Sequence, residues 1–261
     1  MKKGAPPLGQ HFLKNLTVAR TLVDAADIRE GSIVLEIGPG EGALTREILA
    51  RGARVTAVER DHELAEKLYT IFSGDIAEER LTIIEKDVRD FDPHEQGLKK
   101  GEYILAANIP YYITGDIIRR FLTAEAQPKT IALLIQKEVA ERIIARDRKE
   151  SLLSLSVKAY GTPRMVTKVS RGSFSPPPSV DSAIIAITDI SRRFFDHFSE
   201  AAFFKVLKAG FASKRKYLAS NLKMFGKENV TRAFRECNLH EKVRAEDVPL
   251  ETWKRLVQIL V

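Results

Sequence analysis

The chain has 261 residues but only one cysteine, Cys237, and one tryptophan. A lone thiol cannot close an intramolecular disulfide, which fits a reducing compartment; Cys237 falls in a helix-like run and reads as a packed, inert thiol or a reactive one. No stretch is long and apolar enough to span a membrane. At the N-terminus Gly4-Ala5-Pro6-Pro7 interrupts the region where a signal peptide needs an apolar core. The expected location is therefore cytoplasmic. The five histidines, His11, His62, His94, His197 and His240, are dispersed without ligand spacing and no cysteine cluster exists, so no metal site is expected. Low-complexity tracts and internal repeats are absent as well.

Acidic residues are the minority among the charges: 42 Lys and Arg against 35 Asp and Glu give a formal net charge of +7. Such an excess concerns partners more than fold, because each phosphate a protein neutralises adds affinity for a polyanion. Solvated surface lysines are the simpler explanation. The distribution favours the first, since Lys205, Lys208, Lys214, Arg215, Lys216 and Lys223 lie in a stretch, residues 203–223, that contains no Asp or Glu. Arg146, Arg148 and Lys149 form a second basic patch, readable either as an RNA contact or as a solvated loop.

With 44% apolar residues the chain has material for one large core and a smaller appended domain. Strand-like apolar runs at residues 33–37, 54–58, 81–85, 103–107, 130–135, 165–169 and 183–187 alternate with helical periodicity at 43–51, 62–72, 115–123 and 137–145. This is the pattern of a doubly wound α/β domain with a parallel sheet covered on both faces. Beyond about residue 192 only helical patterns remain, at 200–207, 215–224, 228–239 and 250–260. Asp247 and Pro249 fit a cap and first turn for the last of these. The predicted division is 1–192 for the α/β domain and 193–261 for a small basic helical domain.

The first strand runs into Glu36-Ile37-Gly38-Pro39-Gly40-Glu41-Gly42. Glycines at 38, 40 and 42 permit positive φ, close approach to a ligand, and tight packing of the next helix. Glu59 at the second strand tip, about 20 residues on, can accept from both hydroxyls of a ribose. Asp87, followed by Val88 after the third strand, is placed to accept from an adenine amino group. To this point a nicotinamide dinucleotide and S-adenosylmethionine fit equally well.

Asn108-Ile109-Pro110-Tyr111 at the fourth strand tip separates them. An adenine amino nitrogen is a poor nucleophile because its lone pair is delocalised, whereas a sulfonium methyl is a strong electrophile. Catalysis then needs alignment and acceptors aimed at the amino protons. The Asn108 side-chain oxygen and the Pro110 carbonyl suit that purpose, with Pro110 restricting its own φ and the conformation of Ile109. Tyr111 can stack on the base.

These residues carry a resemblance to the KsgA-type rRNA adenine dimethyltransferases. The shared runs are Leu8-Gly9-Gln10-His11-Phe12-Leu13, Glu36-Ile37-Gly38-Pro39-Gly40, Asn108-Ile109-Pro110-Tyr111, Gln136-Lys137-Glu138-Val139, Phe174-Ser175-Pro176-Pro177-Pro178-Ser179-Val180-Asp181-Ser182 and Arg244-Ala245-Glu246. Their order spans nearly the whole chain. The resemblance implies a Rossmann-like S-adenosylmethionine-dependent fold, with His11 and Leu13 joining Gly38, Gly40, Glu59, Asp87, Val88 and Asn108 around the cofactor. It also implies that Phe174 closes the face of the target base opposite Tyr111. The implied activity is dimethylation of two adjacent adenosines near the 3′ end of small-subunit rRNA during ribosome assembly; a monomer is expected.

Two departures stand out. Tyr112-Ile113-Thr114 replaces the common Asn-Ile-Ser, and Leu152-Leu153-Ser154-Leu155-Ser156 replaces Tyr-Gly-Arg-Leu-Ser without its arginine. Competing readings are an antibiotic-resistance methyltransferase of large-subunit rRNA, a non-catalytic RNA-binding assembly or transcription factor, and a small-molecule N-methyltransferase, the last opposed by the basic tail.

Overall fold

The computed structural model describes residues 11–261. The Leu8-Gly9-Gln10 part of the first shared run and the interrupted N-terminus at Gly4-Ala5-Pro6-Pro7 lie outside the described residues.

In chain order the elements are β1 (Phe12–Leu13), α1 (Leu16–Ala25), β2 (Ile33–Ile37), α2 (Ala43–Leu49), β3 (Arg54–Glu59), α3 (His62–Ile71), α4 (Ser73–Ala77), β4 (Leu81–Glu85) and β5 (Tyr103–Asn108). There follow α5 (Thr114–Thr123), β6 (Thr130–Gln136), α6 (Lys137–Ile143), α7 (Leu152–Lys158), β7 (Thr162–Val169), β8 (Phe174–Ser175) and β9 (Ser182–Thr188). The remainder is helical: α8 (Glu200–Gly210), α9 (Leu218–Asn221), α10 (Lys227–Glu236) and α11 (Leu250–Leu260).

Seven strands form one sheet in the order β4-β3-β2-β5-β6-β9-β7. Val34 to Ile37 of β2, Tyr103 to Ala107 of β5 and Thr130 to Ile135 of β6 are buried without interruption. Successive strand residues point to opposite faces, so unbroken burial means that both faces are covered. The sheet is not wholly parallel as expected from the sequence. β9 runs antiparallel to both β6 and β7, because the chain returns from β7 to its neighbour with no crossover helix. Hydrophobic runs report burial and carry no strand direction. A separate two-stranded ribbon pairs β1 with β8, Phe12 opposite Ser175 and Leu13 opposite Phe174.

From β2 the chain moves outward through β3 to β4, then returns to place β5 on the other side of β2. The order therefore reverses between β2 and β5, and at such a switch point a crevice opens outside the carboxyl ends of the strands. The Gly turn, Glu59 and Asn108 sit at those ends.

The chain divides into two compact units, one made of residues up to Ala140 plus Thr162–Ile190, the other of Glu141–Gly161 plus Ser191–Val261. The second unit thus takes in a segment that a contiguous boundary at 192/193 assigns to the first. Within it the Glu150 amide donates to the Glu246 carbonyl at 2.8 Å and Lys149 pairs with Asp247. Periodicity cannot reveal such a return of the chain. Asp247 is therefore an ion-pair partner and does not cap α11; Pro249 occupies the cap position, without a side-chain bond. Arg215 and Lys216, placed in a helix by the sequence pattern, lie with Lys214 in a turn before α9. Asn221 holds the base of that turn, its Nδ2 donating to the carbonyls of Gly210 at 2.6 Å and Ser213 at 3.0 Å. Trp253, Phe203, Val206 and Leu207 are fully buried in this unit, and Cys237 is buried.

Candidate active site

One cavity in the first unit is lined by His11, Phe12, Leu13, Glu36, Gly38, Gly40, Glu59, Asn108, Pro110, Tyr111 and Phe174 among others. Nine of these are residues singled out from the sequence. Asp87 and Val88 are not among the lining residues. The Asp87 carboxylate is instead held by Arg89, Oδ2 to Nη2 at 2.6 Å and Oδ1 to Nε at 3.0 Å, with Arg60 Nη1 at 3.6 Å. The Arg89 hydrogen bonds lower its pKa to about 2.

On the glycine side Gly38, Gly40 and Gly42 all adopt positive φ, +65°, +58° and +78°. At Gly42 a β-carbon would come within 2.5 Å of the Phe72 ring, so only glycine lets α2 begin there. The buried Glu59 carboxylate clamps the turn. One oxygen accepts from the Gly40 amide at 3.1 Å and the other from the Arg60 and Asp61 amides at 2.9 and 3.0 Å. These bonds fix the carboxylate at the tip of β3 and leave a free lone pair on the oxygen that accepts from Gly40.

Glu36 is a site residue that sequence reasoning passed over, although a carboxylate inside the apolar run Val34-Leu35-Glu36-Ile37 was a visible signal. It is 1% exposed, and its Oε2 has no hydrogen-bond partner among the described residues. Burial pushes its carboxyl up to about 8, with the charge of Glu59 acting in the same direction. A buried acceptor without a donor, lining a cavity, suits a ligand that brings an N–H. The residues thus fit S-adenosylmethionine: a glycine turn open to close approach, a fixed carboxylate at the tip of β3, and a buried carboxyl with one oxygen unpartnered.

The opposite side is built from β5 and the β1–β8 ribbon. Asn108 Nδ2 donates to the His11 carbonyl at 3.2 Å, which leaves its Oδ1 as the acceptor. The Pro110 carbonyl accepts from the Ile113 amide at 3.2 Å and retains a second lone pair. The Tyr111 hydroxyl shares a 2.8 Å hydrogen bond with Ser182 Oγ, and its ring centroid lies 6.0 Å from that of His11. Burial raises the Tyr111 pKa, keeping the phenol neutral. His11 Nδ1 is in turn 2.8 Å from the Pro176 carbonyl, next to Phe174, which is 4% exposed and also belongs to the hydrophobic core. Ser182 is a second residue whose part was invisible in sequence, since only the fold brings it to Tyr111.

The candidate RNA contacts fall in the second unit. Lys214, Arg215 and Lys216 are exposed and carry no ion pair among the described residues. Lys149 is paired with Asp247 and Glu246, and Arg146 with Glu141, while Arg148 is exposed at φ +63°. Among the described residues no group of three or more His, Cys, Asp or Glu could hold a metal, and no helix is long and apolar enough to cross a membrane.

An adenosine-type cradle at the sheet's switch point facing an Asn-Ile-Pro-Tyr tip defines an S-adenosylmethionine-dependent N-methyltransferase of Rossmann-like fold. The family model of the ribosomal RNA adenine dimethylases matches residues 1–261, and the chain belongs to that family. Among its relatives, the ribosomal RNA small subunit methyltransferase A of Dehalococcoides mccartyi is 38% identical over 257 residues, 97% of this chain and 87% of the relative. The protein of the same name from Clostridium botulinum is 35% identical over 254 residues, 95% and 91% of the two chains. The crystal structure of the 23S rRNA methyltransferase ErmE superposes with a TM-score of 0.77 at 26% identity, covering 95% of this chain and 99% of that one. A dimethyladenosine transferase from Plasmodium falciparum shares the fold, with a TM-score of 0.77 at 24% identity over 94% and 96% of the chains.

Proposed function

We propose that this protein dimethylates N6 of two adjacent adenosines near the 3′ end of small-subunit rRNA, acting as a monomer on a pre-ribosomal particle. The observation that carries the reading is the convergence of Gly38, Gly40 and Glu59 with Asn108, Pro110, Tyr111 and Phe174 around one cavity. S-adenosylmethionine, when bound, supplies the electrophilic sulfonium methyl. His11, Leu13, Glu36 and Glu59 bind and orient it against the glycine turn. Asn108 Oδ1 and the free lone pair of the Pro110 carbonyl accept the N6 protons, favouring a pyramidal nitrogen whose lone pair points at the methyl. Tyr111 and Phe174 hold the two faces of the extruded base. No side chain has to act as a strong base, because the amino group becomes acidic as it is methylated and releases its proton to water. Asp87, whose Oδ2 accepts one short bond from Arg89 and keeps a second lone pair, accepts from the adenine amino group of the cofactor. Lys214, Arg215 and Lys216 hold rRNA phosphates, with Arg146, Arg148 and Lys149 as a secondary patch.

Incubating the purified protein with labelled cofactor and with each isolated ribosomal subunit, then mapping the methyl groups, tests the assignment. Label confined to two neighbouring adenosines of the small subunit is expected. The likeness to the 23S rRNA methyltransferase structure supports one rival, and label on large-subunit rRNA would decide for it.

A further inference from the structure

Tyr111 and Tyr112 are adjacent in sequence yet have opposite fates. Both lie in the single 3₁₀ turn Tyr111–Ile113 that joins β5 to α5. Neighbours in such a turn project about 120° apart, so Tyr112 cannot follow Tyr111 into the cavity. Tyr111 is half-buried and anchored to Ser182. Tyr112 is 70% exposed, and no other large hydrophobic side chain among the described residues is as exposed. Its ring contributes little to folding, since hydrophobic stabilisation scales with the area removed from water.

Tyr112 directly follows Tyr111, which lines the cavity, so its open ring stands at the rim of the site where the target base enters. An uncovered aromatic face is a platform on which single-stranded nucleic acid stacks a base. Extruding a target base also leaves its neighbour without a stacking partner. We infer that Tyr112 is a positioning residue that stacks on the nucleotide flanking the target adenosine. The inference rests on the proposed rRNA substrate.

The test uses the full-length protein, small ribosomal subunits as substrate, and Tyr112→Ala and Tyr112→Phe variants. Tyr112→Ala raises KM for the subunit about 5- to 150-fold, more than it lowers kcat, the span expected when one base stack is removed. It leaves the dissociation constant for S-adenosylmethionine unmoved. Tyr112→Phe, which keeps the ring and loses only the hydroxyl, restores KM. A short RNA carrying 2-aminopurine beside the target adenosine reports stacking directly: its fluorescence is quenched by wild type and Tyr112→Phe and stays bright with Tyr112→Ala. If wild type methylates the subunit normally while Tyr112→Ala shares its KM and its quenching, the stacking role is overturned and the substrate assignment stands. If wild type leaves small-subunit rRNA unmethylated, the substrate assignment fails and takes this inference with it.

Discussion

The Asn108 side-chain amide donates to the backbone carbonyl of His11, a residue 97 positions earlier in the chain. This bond sets the amide's orientation, nitrogen towards His11 and oxygen free for an incoming amino group. Asn108→Ala removes the acceptor without touching the glycine turn. Methyl transfer under single-turnover conditions falls on the order of 10²- to 10³-fold, as when one preorganised polar group acting in the transition state is lost. Cofactor affinity stays largely intact in calorimetry. A near-normal single-turnover rate would remove Asn108 from the chemistry.

Glu59→Ala acts on the other half of the cavity. The carboxylate accepts from Gly40, Arg60 and Asp61 amides, so its loss both deletes a ligand contact and frees the turn that cradles the cofactor. Hydrogen bonds to a charged acceptor are worth about 1.5–3 kcal/mol, which weakens S-adenosylmethionine roughly ten- to a hundredfold. Calorimetry on folded protein reads the change directly, and an unaltered dissociation constant would contradict the placement.

Glu36 gives a pH dependence whose sign is fixed by its environment. Its pKa rises from 4.5 to about 8 on folding, chiefly through burial. Between those values the folded state holds a proton that the unfolded state has released. The group's contribution to stability is therefore fully present below pH 4.5 and declines as the pH rises through this window, levelling off above about 8. Glu36→Gln, neutral at every pH, removes that decline. Urea melts of the two proteins without cofactor therefore diverge in the variant's favour between about pH 5 and 8. Parallel curves would mean that Glu36 is ionised in the folded state.

Tyr111→Ala and Phe174→Ala separate stacking from packing. Each loses roughly 1–3 kcal/mol of base stacking, read as weaker methylation at subsaturating RNA. Phe174 is also 4% exposed within the hydrophobic core, so its truncation costs a further 3–5 kcal/mol or so of fold stability. Tyr111 is half-buried, and its variant melts closer to wild type. Wild-type methylation by both variants would end the two-faced clamp.

The parts of this molecule that were legible in the sequence are those that local chemistry determines. Seven apolar runs became the seven strands of the sheet, and the glycines at 38, 40 and 42 took the positive φ for which their lack of a β-carbon suits them. The cavity lining gathered His11, Asn108, Tyr111 and Phe174 because each lies at a strand tip or in the small ribbon. What stayed hidden depends on chain return or on partners distant in sequence. The reversal of β9 follows from a connection without a helix. Lys149 meeting Asp247, the Arg89 grip on Asp87, and Ser182 under Tyr111 are pairings that no spacing rule encodes.

For Lys214, Arg215 and Lys216 it is the fold that separates unpaired charge from paired charge. These three stand exposed on a turn pinned by Asn221 and carry no ion pair among the described residues, whereas Lys149 and Arg146 already face carboxylates. Phosphate contacts position a nucleic acid without reading its bases, so replacing all three by alanine weakens rRNA binding broadly and leaves S-adenosylmethionine affinity unchanged. Every phosphate that is no longer neutralised flattens the slope of log affinity against log salt by roughly 0.7–0.9, giving a total of about 2 to 3 for the triple variant. Lys149→Ala, measured alongside, changes the slope less, because its ammonium exchanges a carboxylate pair for any phosphate it gains. Filter binding to pre-ribosomal particles across a salt series yields both slopes. A triple variant that matches wild type in affinity and slope would assign the turn to solubility and move the RNA surface to Arg146, Arg148 and Lys149.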